Sequence, residues 1–282
     1  MTMLEVLSNH RLETLKRIRE AEVNDSIKEI FEQLGKKNKK EDIWWGYDQE
    51  GNDNSRKALR DFFHLSGTFV VSDALPYLKW LSVGEYGKAM KKAAKELDHM
   101  VGGWLEEHKQ RKLCGGMKEN QDFMDALLSI VTDEDEISSY DADTIVKATC
   151  LGLILAAIDM TTITLTWALS LLLNNREDLK KAQQELDVQV GRERQVQESD
   201  VKNLEYLQAI LKETMRLYPA APLLVSHESL ENCTLAGNNF PTGTRLLVNV
   251  PKLHRDPSVW VDPTEFRPDT TTNLTFFKGQ NP

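Results

Sequence analysis

The stretch that decides the fold is LILAAIDMTTITLTWALSLLLNN, which occupies residues 153–175. Apolar side chains fill most of it, yet one carboxylate, that of Asp159, lies near its middle and is followed by Met160 and a series of threonines. An apolar run of this length is typical of a core helix or of a membrane span. We predict one long helix over residues 144–175.

Two settings are open to this helix. As a membrane span, residues 146–173 would contain Lys147 and Asp159, and an acid at the centre of a span costs about 2.5–3.5 kcal/mol. We therefore expect a helix buried in the core of a large soluble protein, with Asp141 or Asp143 as its N-cap. A protein anchored in a membrane by this helix is the alternative.

The rest of the chain divides at Pro219. Helical spacing dominates residues 1–218, with a polar, glycine-containing linker at residues 108–121. Beyond Pro219, LLVSHES, CTLAGNNF and TGTRLLVNV are typical of short strands separated by turns such as Gly237-Asn238-Asn239, and a proline-rich coil follows. We predict a mainly α protein with a small β-sheet, in which residues 1–282 form a single partial domain and residues 219–282 hold the short strands and coil.

Charge and cysteine content exclude several classes of function. The 282 residues carry a formal net charge of -9, whereas a nucleic-acid partner needs a basic face. Cys114, Cys150 and Cys233 show neither C-x-x-C nor metal-like spacing. This pattern indicates free thiols in a reducing compartment and predicts no set of metal ligands.

The centre of the long helix has features that suit chemistry. The small side chains of Ala156 and Ala157 let a flat group approach the backbone closely. Hydroxyl groups beside a buried acid suit the delivery of protons. The alternative is that the threonine hydroxyls only bond back to the carbonyls of their own helix.

A second candidate is KETMRLYP, residues 212–219. Glu213 and Arg216 are three residues apart, so they share one helix face and can pair. Alone, such a pair is common and is usually a solvated surface contact. Its surroundings make it more specific, because KETMRLYPAAPL, GNNFPTGTRLLVN and HRDPSVWVDPTEFRP follow one another along the chain.

With AAIDMTT ahead of them, these stretches occur in the order found in plant cytochromes P450, which are haem-thiolate monooxygenases. The chain resembles that family, and among its plant members it is most similar to family 82. RKALRDFFHLSGTFVVSDALPYLKWL and YGKAMKKAAKELDHMV resemble the helices that roof the substrate pocket. The resemblance covers nearly the whole chain and implies a partial cytochrome P450 fold.

The resemblance implies roles for the central helix. Ala156 and Ala157 would leave room for dioxygen and substrate at the haem face. Asp159 and a hydroxyl after it, here Thr161, would relay protons as the catalytic pair.

The resemblance also implies roles after the central helix. Glu213 and Arg216 would form a buried structural ion pair, and His227 would contact a haem propionate. The substrate pocket would be lined by Leu155, Ala156, Leu223, Leu224 and Val225.

A cofactor, partners and a location follow from the same resemblance. They are haem, an NADPH-dependent flavoprotein reductase, a hydrophobic small-molecule substrate and the cytosolic face of the endoplasmic reticulum membrane. No membrane anchor precedes the first helix, so we expect this chain to be cytosolic.

The sequence departs from the family where the chemistry lies. The haem-ligand motif F-x-x-G-x-R-x-C-x-G, whose cysteine thiolate binds iron, does not occur, and the printed sequence ends in FFKGQNP. Met160 stands where a hydroxyl is expected, and Thr161 is turned from that position by about 100° around the helix.

A further departure concerns the arginine that completes the family's triad. The P-E-R-F motif reads Pro268-Asp269-Thr270-Thr271, and Arg267 lies on the wrong side of the proline. We therefore expect Glu213 and Arg216 to be short of hydrogen-bond partners, which is costly for a buried pair.

Two functional hypotheses result. The first is a haem-dependent monooxygenase that oxidises a hydrophobic specialised metabolite of the alkaloid or terpenoid type, here as a truncated member without the ligand loop and therefore inactive. The second is a non-catalytic helical protein, derived from the family, that binds an apolar ligand or a partner protein.

Overall fold

A computed structural model describes residues 8–35, 53–70, 86–114, 122–131 and 141–269 of the chain. The α-helices are α1 (Asn9–Thr14), α2 (Lys16–Gly35), α3 (Asp53–Ser66), α4 (Tyr86–Leu113), α5 (Phe123–Ile130), α6 (Ala142–Asn174), α7 (Arg176–Gln189), α8 (Glu205–Leu217) and α9 (Val250–Leu253), with a 3₁₀ helix at Glu198–Asn203. The strands are β1 (His227–Glu228), β2 (Cys233–Leu235), β3 (Asn238–Phe240) and β4 (Arg245–Leu246). The mainly α fold with little β-structure is confirmed.

Helix ends follow the sequence signals in most places. The carboxylate of Asp141 accepts a hydrogen bond of 2.6 Å from the backbone N–H of Thr144, so Asp141 is the predicted cap of α6. The linker predicted at residues 108–121 is wrong in its first part, because α4 continues to Leu113. Cationic side chains at a helix C-terminus are favourable, and the ammonium group of Lys112 also donates to the carbonyl of Leu128 at 3.1 Å.

The described residues group into two compact units, Met1–Leu155 and Ala156–Pro282. In the first, α3 packs on α4 and α4 packs on α5. Its core is a cluster of buried side chains from α4, α5 and the start of α6, namely Val101, Leu105, Met124, Leu127, Val146 and Cys150. Burying one leucine of this kind stabilises the fold by about 1.5–3 kcal/mol.

Two ion pairs join α4 to the first turns of α6. The ammonium of Lys147 lies 2.6 Å from Asp98, and that of Lys109 lies 2.6 Å from Asp143. Both pairs are partly exposed, so each fixes helix register more than it adds to stability.

The second unit has its own core. Leu172 from α6, Ala182 from α7 and Ile210 from α8 are buried against one another, and Phe266 from the following coil packs on them. The N-terminus of α8 has no side-chain cap of its own. The carboxylate of Glu185 supplies one from α7, since it accepts the backbone N–H groups of Tyr206 and Leu207 at 2.7 and 2.9 Å.

The β-structure is two antiparallel pairs of very short strands. β2 and β3 form a hairpin whose register places Leu235 opposite Asn238. Its two turn residues are Ala236 and Gly237, with φ of 49° and 79°, so the turn lies one residue earlier than predicted. β1 pairs with β4, and His227 lies opposite Leu246.

The burial predicted for α6 is wrong over most of its length. An 18-residue window within it has a mean hydropathy of 1.8, and only 6% of that window is buried. Other elements bury side chains of α6 near its start, at Val146 and Cys150, and near its end, at Ala168 and Leu172. Within the part of the chain that the structure describes, α6 alone is long and apolar enough to cross a membrane, which is weak support for a span.

Candidate functional site

The motif residues of α6 lie on an exposed stretch of the helix. Ala156, Ala157, Asp159 and Thr161 are all exposed, and Met160 is 49% exposed. The methyl groups of the two alanines leave the helix backbone open to close approach on their side. Solvent reaches the carboxylate of Asp159 directly.

The two residues predicted to be catalytic do not face each other. Asp159 and Thr161 are both within one regular helix. Residues two apart on a helix are related by a rotation of about 200°, so their side chains point to nearly opposite sides. The hydroxyl that shares the face of Asp159 by spacing is that of Thr162, three residues on. Thr162 is a candidate that the sequence analysis missed, although the spacing of three could have shown it.

Other hydroxyls of α6 are engaged by the helix itself. Thr164 donates to the carbonyl of Met160 at 2.8 Å, and Thr166 donates to that of Thr162 at 2.7 Å. Threonines in helices commonly bond back four residues in this way. For Thr164 and Thr166 the structure supports the non-catalytic interpretation.

Glu213 and Arg216 form the predicted pair on α8. Their side chains are 1% and 6% exposed. Nε of Arg216 donates to Oε2 of Glu213 at 2.7 Å, and Nη2 donates to Oε1 at 2.8 Å. Two parallel charge-assisted bonds of this kind are among the strongest side-chain contacts in proteins.

The remaining N–H groups of Arg216 hold the coil that follows α9. Nη1 donates to the carbonyls of His254 and Pro263 at 2.9 and 2.7 Å, and Nη2 donates to that of Glu265 at 3.0 Å. All five donors of the guanidinium are therefore used. The guanidinium carbon also lies 4.8 Å from the ring centroid of Trp260, within the range of a cation–π contact.

The expectation that this pair would lack partners is wrong. Oε1 of Glu213 also accepts the backbone N–H of Arg267 at 3.0 Å. Backbone groups thus supply the partners that were expected to be missing. The guanidinium of Arg267 pairs with Asp262 at 2.7 Å.

Comparison with known protein families identifies the family of this chain. The family model described as "Cytochrome P450" matches residues 8–270. The chain belongs to the cytochrome P450 family.

Plant relatives show which subfamily of cytochromes P450 the chain resembles. The chain is 47% identical over 304 aligned positions to cytochrome P450 CYP82D47 of Panax ginseng, an alignment that covers 97% of this chain and 84% of that protein. It is 44% identical over 295 positions to strychnine-10-hydroxylase of Strychnos nux-vomica, covering 94% of this chain and 56% of that protein. The chain thus spans little more than half of the second relative. The predicted similarity to family 82 is confirmed.

A solved structure confirms the fold. A zebrafish cytochrome P450, described with progesterone, superposes with a TM-score of 0.73 at 24% identity, and the match covers 96% of this chain and 64% of that one. Identity this low speaks only to architecture. The chain has a partial cytochrome P450 fold of 282 residues.

The three thiols of the chain have different surroundings. The iron ligand of the family is a cysteine thiolate. Burial, together with the nearby charge of Asp122, raises the pKa of the Cys150 thiol to about 11, so it stays protonated. Cys114 and Cys233 are exposed, one at the end of α4 and the other on β2. None of the three lies in a sequence like the ligand loop.

His227, the predicted propionate contact, is exposed on β1. Its Nδ1 lies 2.7 Å from the carbonyl oxygen of Val225, an arrangement in which Nδ1 carries the proton. Nε2 is then the ring nitrogen that can accept a hydrogen bond. The propionate contact itself stays a prediction.

The predicted substrate-pocket residues are accessible in both units. Leu155 on α6 is half-buried, while Leu223, Leu224 and Val225 are 49%, 50% and 77% exposed. Leu224 has a φ of 56°, in the left-handed region that leucine rarely adopts. Its backbone N–H donates to the carbonyl of Ala221 at 3.1 Å, which closes a tight turn at this point.

One aromatic contact at the end of α8 was not predicted. Trp167 of α6 stacks on Tyr218 at the end of α8, with ring centroids 3.8 Å apart and an angle of 4° between planes. The guanidinium of Arg255 lies 5.8 Å from the Tyr218 ring centroid. These residues are far apart in sequence, so no local pattern indicates the stack.

Proposed function

We propose that the function this protein inherits from its family is haem-dependent oxidation of a hydrophobic specialised metabolite of the alkaloid or terpenoid type. Electrons would come from an NADPH-dependent flavoprotein reductase, and the site of action would be the cytosolic face of the endoplasmic reticulum. The observation that carries the proposal is the Glu213–Arg216 pair with its full set of backbone partners. The name of the Strychnos relative, an alkaloid hydroxylase, supports the class of substrate.

The proposal has a second part, which concerns the 282-residue polypeptide itself. We infer that residues 1–282 by themselves do not form the haem-thiolate complex and do not catalyse the oxidation. Its three thiols are outside any ligand loop, and the buried one is held in the protonated form. Met160 adds a second defect, because a thioether cannot donate a proton.

The site residues keep the roles that the family gives them as part of the proposal. Ala156 and Ala157 would face the haem, and Asp159 would bring protons to that face with Thr161. The geometry of α6 adds Thr162 as the hydroxyl on the side of Asp159.

A chimera tests the function inherited from the family separately from the activity of the 282-residue polypeptide. Residues 141–269 would replace the aligned segment of the Strychnos hydroxylase, which supplies the rest of the fold. If the segment is that of a monooxygenase, the chimera binds haem as a thiolate complex, and with the change Met160→Thr it also oxidises substrate with the reductase. Loss of haem binding in a soluble, folded chimera would contradict the proposal.

The turnover assay tests the second part. The 282-residue polypeptide, the flavoprotein reductase, NADPH and strychnine would be incubated, with the intact Strychnos hydroxylase as the positive control, and products detected by mass spectrometry. We expect product from the control only. An oxidised product from the 282-residue polypeptide would overturn the inference that it is inactive.

A non-catalytic binding role is the second candidate, and the exposure of α6 favours it. Ile158, Met160, Leu169 and Leu173 are between 42% and 63% exposed on a helix of high hydropathy. Such a surface suits an apolar ligand or a partner such as an intact relative or the reductase. Copurification with one of those proteins would support it. A monodisperse monomer that binds neither would count against it.

A further inference from the structure

A polar cluster joins α4 to α5 inside the first unit, away from the residues assigned to oxidation. It consists of His108 on α4 and of Asp122 and Asp125 at the start of α5. One ring nitrogen of the histidine and one oxygen of each carboxylate lie within 4.8 Å of one another. His108 is 7% exposed and Asp125 is 3% exposed.

The ring of His108 is fixed at both nitrogens. Nδ1 lies 2.6 Å from the carbonyl oxygen of Trp104, which can only accept, so Nδ1 carries a proton. Nε2 lies 2.6 Å from Oδ2 of Asp122. A backbone carbonyl that holds Nδ1–H is the usual support of a histidine whose Nε2 binds a metal.

The two aspartates each use one oxygen to begin α5. Oδ1 of Asp122 accepts the backbone N–H groups of Met124 and Asp125 at 2.9 and 3.1 Å. Oδ2 of Asp125 accepts the N–H of Asp122 at 3.2 Å. This capping box leaves Oδ2 of Asp122 and Oδ1 of Asp125 outside the helix-capping bonds.

The oxygen that remains on Asp125 is an independent sign of a missing ligand. Oδ1 of Asp125 is buried and has no hydrogen-bond partner among the described residues. A buried carboxylate oxygen without a partner is costly. A cation beside it would supply the missing interaction.

We propose that His108, Asp122 and Asp125 form a binding site for a divalent transition-metal ion of the zinc type. The ligands are Nε2 of His108, Oδ2 of Asp122 and Oδ1 of Asp125, and water takes the fourth position. Nitrogen and carboxylate oxygen suit Zn²⁺ at about 2.0–2.2 Å. The side chain of Asp122 is 41% exposed, which gives the ion access from solvent.

Small movements bring the ligands into place. Two ligands of a tetrahedral ion are about 3.3 Å apart, so the contact of 2.6 Å between Nε2 and Oδ2 must widen by a fraction of an ångström. The capping bonds of α5 can stay, since they use the other oxygens. Two carboxylates, a neutral histidine and a divalent ion leave no net charge in the site.

Metal and proton compete for the same atom. Without metal, Nε2 carries a proton that it donates to Asp122, so binding of the ion releases one proton from His108. Cys150 on α6 is a further titratable group near this site, since the charge of Asp122 helps to raise the pKa of its thiol. Lys109 and Lys112 follow His108 on α4, and their ammonium groups are held by Asp143 and by the carbonyl of Leu128.

Binding of Co²⁺ to the purified, metal-free 282-residue chain tests the site. Co²⁺ stands in for Zn²⁺ because its visible absorption reports the ligand set. We expect weak visible bands without the intense absorption of a cobalt–sulfur bond, displacement by Zn²⁺, and release of one proton per ion in a weakly buffered solution. In His108→Gln and in Asp125→Asn, affinity should fall at least about tenfold.

Matched controls separate this site from adventitious binding. His99 is an exposed histidine on the same helix, so His99→Gln should bind Co²⁺ as the unchanged chain does. Circular dichroism would confirm that the variants keep their helix content, and Zn²⁺ should raise the Tm of the unchanged chain but not of His108→Gln. Equal binding by His108→Gln, or binding lost only when Cys114 and Cys233 are replaced by serine, would overturn the proposal.

Discussion

Arg216 and Glu213 bind each other through two parallel hydrogen bonds of 2.7 and 2.8 Å in a site that is almost closed to solvent. The same guanidinium holds three carbonyls from residues that lie 38 to 49 positions further along the chain. One helix residue therefore fixes a long coil that has little regular structure of its own.

Arg216→Lys should destabilise the second unit strongly. An ammonium cannot replace the planar fork, so carbonyls of the coil and one oxygen of Glu213 would lose partners. Each buried acceptor that loses its partner costs about 1–3 kcal/mol. The free energy of unfolding, measured in urea, should fall by that order.

Arg192→Lys is the control, because Arg192 pairs with Asp187 on the exposed surface of α7. It should shift the urea midpoint very little. Equal urea midpoints for the two arginine variants would show that the contacts of Arg216 do not support the fold.

Leu172 and Leu173 offer a test of the orientation of α6. Leu172 is 9% exposed in the core of the second unit, while Leu173 is 63% exposed. Leu172→Ala should lower the free energy of unfolding by about 2–5 kcal/mol, whereas Leu173→Ala should change it by less than about 0.5 kcal/mol. The reverse order would mean that the helix is rotated.

The exposed side of α6 should drive self-association. Leu169 and Leu173 are 62% and 63% exposed among other apolar side chains, and apolar patches of this kind favour association. The double variant Leu169→Lys/Leu173→Lys should shift the protein towards monomer in size-exclusion chromatography with light scattering.

Leu230→Lys is the matched control for that charge change. Leu230 is 97% exposed in a loop outside the strands, so its replacement removes an apolar side chain without touching α6. An equal gain of monomer in Leu230→Lys would attribute the effect to net charge alone.

The contact between His108 and Asp122 should make stability depend on pH when a chelator removes metal ions. Burial alone lowers the pKa of His108, but hydrogen bonds to Asp122 and to the Trp104 carbonyl outweigh it and raise the pKa above 6.5. A raised pKa gives a contribution that is complete below the pKa of the unfolded chain and is lost as pH rises through the folded pKa. His108→Gln should therefore destabilise the protein most near about pH 6 and less near about pH 9.

Urea unfolding of the unchanged chain and of His108→Gln across that range gives the measurement, with His99→Gln as the control on the same helix. A stability difference that grows with pH would contradict the assigned charge state of His108.

The sequence predicted contacts that are local and missed those that are distant. A spacing of three placed Glu213 and Arg216 on one face, and the acids before the apolar run gave two candidate caps, Asp141 and Asp143, of which Asp141 is the cap. The carbonyls of His254, Pro263 and Glu265 were not predicted, since no local rule says which distant backbone groups meet a side chain. The pair was expected to be short of partners, whereas these carbonyls and one N–H complete the site.

Burial was the least predictable property of α6. Its apolar composition indicated a core helix, but burial depends on which other elements cover a helix as well as on its own side chains. The cluster around His108 was also missed. Its local signal was the sequence DFMD, in which Asp122 and Asp125 have the spacing of a capping box, while the histidine comes from another helix.

The most direct test of the central claim is the reduced carbon monoxide difference spectrum of the 282-residue polypeptide after incubation with haem. The intact Strychnos hydroxylase serves as the positive control. We predict no thiolate-type Soret band for the polypeptide, because none of its three cysteines lies in a sequence like the ligand loop. A thiolate-type band that persists in the polypeptide would contradict this account and would show that one of Cys114, Cys150 or Cys233 binds the iron.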